Sequence, residues 1–116
     1  MSARADIARA ASSVIGVNVT PNYRQVTKAG EGFVRWAGRD LAEDRFGYMD
    51  RWQVWLVVPQ DLPAAEDWVA DKAAALIAAL DPELVVTSLT PADLVIGTAT
   101  ALNGLIIDGA RPSDDD

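Results

Sequence analysis

The chain has 116 residues, with 10 Lys+Arg against 17 Asp+Glu for a formal charge of -7, and half of its residues are hydrophobic. It contains no His and no Cys, which removes the commonest general base, thiolate nucleophiles, disulfides and soft metal sites. Leu, Ile, Val and Phe supply 30 of the 116 residues, above the roughly 20% that marks disorder, so one domain with its own core is expected over residues 1–111.

Ser2 to Val14 is predicted to form a first helix. Ser2 caps it, Ile7, Ala11 and Val14 share one face, and Gly16 supplies the stop. Val17–Thr20 and Tyr23–Thr27 read as short β-branched strands, and Lys28-Ala29-Gly30-Glu31-Gly32 as a turn. Phe33–Leu41 and Phe46–Val58 read as longer strands joined by the charged connection Ala42-Glu43-Asp44-Arg45. Asp61 then caps a second helix, with Pro63 in its first turn and an apolar stripe of Ala65, Trp68, Val69, Ala73, Leu76, Ile77 and Leu80. Asp81-Pro82 ends it. Leu84–Thr90 is a strand expected to stop or bend at Pro91, and Ala92–Gly97 either resumes it or pairs with Leu105–Gly109. Arg111 and the acidic tail, residues 112–116, are expected to be disordered. The fold class that follows is α+β, with two helices on one face of a mainly antiparallel sheet and the element order α-β-β-β-α-β-β.

Charge divides along the chain. Residues 1–58 carry eight basic and six acidic side chains, net +2, whereas residues 59–116 carry Lys72 and Arg111 against eleven acids, net -9. Such a split is either compositional drift or the mark of a polar monomer whose basic part meets the acidic part of a copy. Asp6 interrupts the N-terminal apolar stretch that a secretory segment needs, and the longest apolar run, Ala73–Leu80, falls far short of the ~20 residues of a membrane span. A chain made in a cytoplasm, with no membrane partner, is expected. The acidic balance argues against tight binding of phosphate backbones.

Few residues point to chemistry. Trp52, Val54, Leu56 and Val58 alternate onto one face of the central strand while Trp55 and Val57 take the other. Loops then bury Trp55, or it anchors a subunit interface, where tryptophan is enriched. Asp67 and Asp71, four apart beside Glu66, read as a solvated acidic face, with arginine from a neighbouring subunit or a hydrated divalent cation as the functional alternative. Arg39 and Arg45 flank Asp40, Glu43 and Asp44 in the long hairpin. Two carboxylates there are the raw material of acid and base catalysis, but a charged loop does not hold them to the required geometry. Gly30-Glu31-Gly32 lacks the third glycine of a dinucleotide motif. No enzyme, cofactor or metal is expected from these residues.

The segments Val17-Asn18-Val19-Thr20-Pro21, Arg24-Gln25, Trp52-Gln53-Val54-Trp55-Leu56-Val57-Val58-Pro59, Ala65-Glu66-Asp67-Trp68-Val69 and Leu84-Val85-Val86-Thr87-Ser88-Leu89, in this order, resemble the tail terminator proteins of long-tailed, siphovirus-type phages. That group is typified by the lambda tail protein U, and these segments are similar to those of terminators of actinobacterial phages. The resemblance implies a virion protein assembled in the host cytoplasm as a hexameric ring. The ring would cap the tail tube, end its polymerisation and offer the junction to the head connector, with DNA crossing the opening without specific binding. The resemblance also implies magnesium-assisted ring formation, for which the sequence offers carboxylates but no dedicated motif. Two other readings stand beside it: another head–tail connector or tail-completion protein, and a small ligand-binding α+β module. The interface residues expected are Arg39, Arg45, Trp55, Asp67 and Asp71. On this reading Arg45→Glu weakens ring assembly and leaves the circular dichroism spectrum unchanged; a ring that survives the change at moderate salt removes the hairpin contact.

Overall fold

The computed structural model describes residues 3–23, 28–41, 48–94 and 101–112. Two helices, α1 (Ala3–Ser12) and α2 (Leu62–Leu80), and five strands, β1 (Asn18–Thr20), β2 (Glu31–Leu41), β3 (Tyr48–Val57), β4 (Val85–Leu94) and β5 (Leu102–Pro112), follow in the order α1-β1-β2-β3-α2-β4-β5. The strands form one sheet ordered β1-β2-β3-β5-β4. β1 runs parallel to β2 and all other neighbours are antiparallel. This is the α+β class that the residue patterning indicates.

α1 starts and ends close to its predicted limits because its buried face, Ile7, Ala8 and Ala11, is spaced at helical intervals. Its end tightens: Ser13 and Val14 donate to the carbonyls of Ala10 and Ala11, three residues back, before Gly16 turns the chain at φ +84°. Gly16 and Gly30, the latter at φ +89°, lie back to back, and a Cβ on Gly30 would stand 2.1 Å from the Gly16 carbonyl oxygen. Only glycine fits there. The Ser12 hydroxyl accepts from the Val19 N–H at 2.9 Å and donates to the Val19 carbonyl at 3.1 Å, fixing α1 to β1. Arg4 does the same at the other end. Its Nη1 donates to the Pro21 and Val34 carbonyls at 3.2 and 3.1 Å, and its guanidinium lies 5.4 Å from the Trp52 ring centroid.

α2 is capped as expected, the Asp61 carboxylate accepting from the Ala64 N–H at 3.3 Å. Its buried residues are Ala65, Leu76 and Leu80, with Trp68 and Val69 packed against the same core. Ile77, expected on the buried stripe, is instead 42% exposed. The row 65–69–73–77 advances about 40° per step in a helix of 3.6 residues per turn, so its last member leaves the buried face. Both helices cover one face of the sheet, where Val19, Val34, Trp52, Val54, Leu56, Leu105 and Ile107 complete the main core.

The structure decides one open alternative, that Ala92–Gly97 resumes the strand, for its described residues 92–94, and corrects two expectations. β4 runs straight through Pro91, which stands opposite Leu105, and Ala92–Leu94 continue the pairing with β5. A proline is tolerated because β4 is an edge strand, where its missing N–H removes no ladder bond. Arg111 and Pro112 are not in a tail but in β5, opposite Asp50 and Met49, and Arg111 Nη1 lies 3.3 Å from Glu83 Oε2. Of the strand expected over Tyr23–Thr27 only Tyr23 is described. It is not in a strand, and its ring meets Phe33 edge-on at 5.1 Å. The acidic residues 113–116 lie outside the described residues.

β3 is the axis of the core, and its Leu56 is fully buried. Truncation there should cost about 2–5 kcal/mol, because the cavity cannot collapse between two neighbouring strands. Trp52 differs: its indole N–H is buried without an acceptor. Trp52→Phe removes that orphan donor as well as packing, two effects of about 1–3 kcal/mol each and opposite in sign. Urea unfolding should therefore show Leu56→Ala strongly destabilised and Trp52→Phe within roughly 1.5 kcal/mol of the parent; equal losses would refute this account of Trp52.

Candidate interaction surfaces

The hairpin of β2 and β3 contains a β-bulge between Trp36 and Gly38. Trp36 pairs with Trp52, but beyond the bulge the register moves by one and Arg39 stands opposite Asp50. A one-residue shift carries a side chain to the other face of the sheet, so Arg39 joins Asp50 on the helix-covered side. Arg39 Nε and Nη2 donate to Asp50 Oδ1 and Oδ2 at 2.7 and 3.4 Å, and the guanidinium sits 5.1 Å over the Tyr48 ring. Asp50 is only 6% exposed. On the opposite face Arg51 Nε meets Asp40 Oδ2 at 3.1 Å, both side chains more than half exposed. The described part of the hairpin thus neutralises its charges within itself.

Trp55 lies on the face without helices and is half-buried. Its Nε1 donates to Gln53 Oε1 at 3.0 Å, Gln53 Nε2 donates to Asp108 Oδ1 at 2.9 Å, and the Ser88 hydroxyl donates to Asp108 Oδ2 at 3.2 Å. Arg35 stacks over the Trp55 ring at 4.6 Å, and Phe33 packs beside it at 5.7 Å. A second, smaller apolar cluster of Phe33, Val57 and Leu94 lies next to Trp55. Neighbours within the chain therefore satisfy the Trp55 indole and cover much of its ring.

Asp67 and Asp71 are exposed on α2, and Asp71 Oδ2 is 3.6 Å from Lys72 Nζ. They share no cluster with Arg39 or Trp55. Arg45, together with Glu43 and Asp44, lies outside the described residues. Among the described residues no three acidic side chains come together as a metal site, and no helix is long and apolar enough to cross a membrane.

One concave feature escaped the sequence reading. A groove of about 590 Å³ runs between the first half of α2 and the ends of β4 and β5. Val58, Leu62, Ala65, Val69, Pro91 and Ala92 give it an apolar wall, and Glu66, Asp93 and Asn103 stand among them. Its shape is fixed by a reciprocal latch. Gln60 Oε1 accepts from the Asn103 N–H at 2.9 Å, Gln60 Nε2 donates to the Asn103 carbonyl at 3.1 Å, and Asn103 Nδ2 donates to the Gln60 carbonyl at 3.0 Å. The one sequence signal was Leu62, an apolar residue in the first turn of α2 that remains 64% exposed.

No protein-family model and no curated protein matches the chain. The described surfaces comprise an acid-bearing apolar groove, a hairpin whose described arms pair Arg39 with Asp50 and Arg51 with Asp40, and a sheet face covered in part by its own side chains.

The Arg39–Asp50 contact is an internal hydrogen-bonded ion pair, and hydrogen bonds to charged groups contribute about 1.5–3 kcal/mol. Arg39→Ala is expected to lower the free energy of unfolding by roughly that amount and to leave the association state of the folded protein as it was. A variant that keeps full stability but no longer associates would place Arg39 at an interface instead.

Proposed function

We propose that the chain is a structural assembly protein of a phage tail, of the tail-terminator kind, which works by contacts between copies and not by chemistry on a substrate. It forms a ring, hexameric on the resemblance stated above, that caps the tail tube and presents the junction to the head connector. The observation that carries this reading is where the sheet order puts the charge. Among the described residues of 1–32, which supply α1 and β1 at one edge, Arg4, Arg9 and Lys28 stand against Asp6 and Glu31. Residues 59–94, which supply α2 and the opposite edge strand β4, hold one lysine against seven acids. A monomer with opposite signs on opposite edges favours heterologous contacts, and these close into rings or run on as filaments. The overall acidity suits an opening through which DNA slides, since like charge disfavours binding.

A second reading is favoured by the groove, whose volume lies within the ~300–1,000 Å³ of small-molecule sites. A ligand-binding module would stay monomeric and melt at a higher temperature in the presence of its ligand. A head–tail connector or tail-completion protein shares the surfaces described and differs in which ring it meets.

Light scattering on a size-exclusion column, across protein concentrations, with and without magnesium and with purified tube protein, separates these. A six-fold mass, alone or on the tube, is the expected result. A monomer under every condition, with melting shifted by small apolar amines, would replace the ring with the binding module.

A further inference from the structure

We propose that the groove between α2 and β4 receives the Ile15 turn of a second copy, so that each protomer offers its turn to one neighbour and its groove to the next. This rests on the assembly reading above and names the contact that would build it.

Ile15 is 87% exposed. It is not on a loose loop, because Val14 donates back to Ala11, Val17 donates to the Val14 carbonyl, and Gly16 is wedged against Gly30. An apolar side chain presented on a turn already fixed loses little freedom when it is buried. The back-to-back glycines also set the Lys28–Gly30 turn, with Lys28 exposed, against the Gly16 turn, and Lys72 Nζ lies 3.7 Å from where a Cβ on Gly16 would stand. The turn is therefore an apolar knob with the exposed Lys28 on the adjoining turn, while Lys72 at its foot already lies 3.6 Å from Asp71 Oδ2. The groove is its complement: apolar walls at Val58, Leu62 and Val69, and exposed carboxylates at Glu66 and Asp93.

Position on α2 makes the contact heterologous. Lys72 marks the flank of α2 that faces the Gly16 turn, whereas Leu62, Glu66, Val69 and Ala70 line the flank that faces β4. The Gly16 turn and the groove thus meet different residues of α2, and none of the residues lining the groove belongs to the Ile15 turn, so the turn is left for the groove of a neighbour and the contact repeats from copy to copy. Strand pairing along the β4 edge is disfavoured as the alternative. Pro91 has no N–H to offer, and the bulge between Val86 and Ser88 breaks the edge. Docking by side chains into the groove does not need that edge.

The absence of cysteine makes the test direct. Ile15→Cys with Leu62→Cys in one chain should, after mild oxidation, give a ladder of disulfide-linked species on a non-reducing gel, whereas each single variant stops at a dimer. Ile15→Asp, on an exposed turn, should keep the circular dichroism spectrum and weaken self-association by on the order of 10- to 100-fold, the effect of losing one buried aliphatic side chain. A ladder that ends at six supports both the contact and the ring. A ladder that continues past six supports the contact and overturns ring closure. Parent protein that associates while the double variant gives no ladder and Ile15→Asp associates normally overturns the contact and leaves the assembly reading standing. Parent protein that stays monomeric even with the tube, with no ladder, overturns both.

Discussion

The central strand β3 is apolar on both faces, and two helices cover only one of them. Trp52, Val54 and Leu56 pack under α1 and α2, while Trp55 and Val57 point the other way. Much of the remaining structure answers this constraint. On the second face the row Phe33–Trp55–Ile106 is followed by a polar row, Arg35–Gln53–Asp108, set by the same strand register. The polar row takes up the indole N–H of Trp55 and lays a guanidinium over its ring. Cross-strand pairs of this kind contribute roughly 0.2–1 kcal/mol each. Their larger effect is to let a large aromatic residue stand on the helix-free face while remaining hydrogen-bonded.

Patterning along the chain made the helices, the long hairpin and the one-sided helical layer legible, because each depends on spacing within a single segment. What it did not reveal depends on pairing between segments. Arg39 finds Asp50 only because a bulge near Ala37 moves the register by one and changes the face on which Arg39 stands. Nothing in the alternation of residues 33–41 announces that shift, although Gly38, at φ +143°, is the residue type that permits it. Pro91 read as a stop or a bend, with resumption of the strand left as an alternative; its tolerance follows from an edge position that only the sheet order defines. Arg111 read as tail because Pro112 and the aspartates follow it, yet pairing with β3 extends β5 through both.

The same distinction explains the surfaces. The groove draws its walls from the β3–α2 connection, the first half of α2, the end of β4 and the start of β5. These segments meet because β5 inserts between β3 and β4, an order that local spacing does not encode. Charge was more legible: the sheet order keeps β1–β3, from the more basic half of the sequence, on one side and β4 and β5, from the acidic half, on the other. The hairpin, which looked the most charged and exposed of all, has Arg39 and Arg51 already paired with Asp50 and Asp40. Internal ion pairs reduce the field a surface projects, so the described arms of the hairpin have less electrostatic reach than their own charges suggest.

Specific association needs an apolar centre that excludes water and charges at its rim that reject wrong orientations. The groove beside α2 holds both parts, with Leu62 and Val69 forming apolar wall near Glu66 and Asp93. The edge strand β4 would be the simplest route to association, but pairing along it sets no orientation by charge and invites open-ended growth. Pro91 and the neighbouring bulge weaken that route. Blunting the sheet edge while leaving an apolar groove open beside it selects contacts made by side chains. Such contacts recognise one orientation and register, the condition for an assembly of defined size.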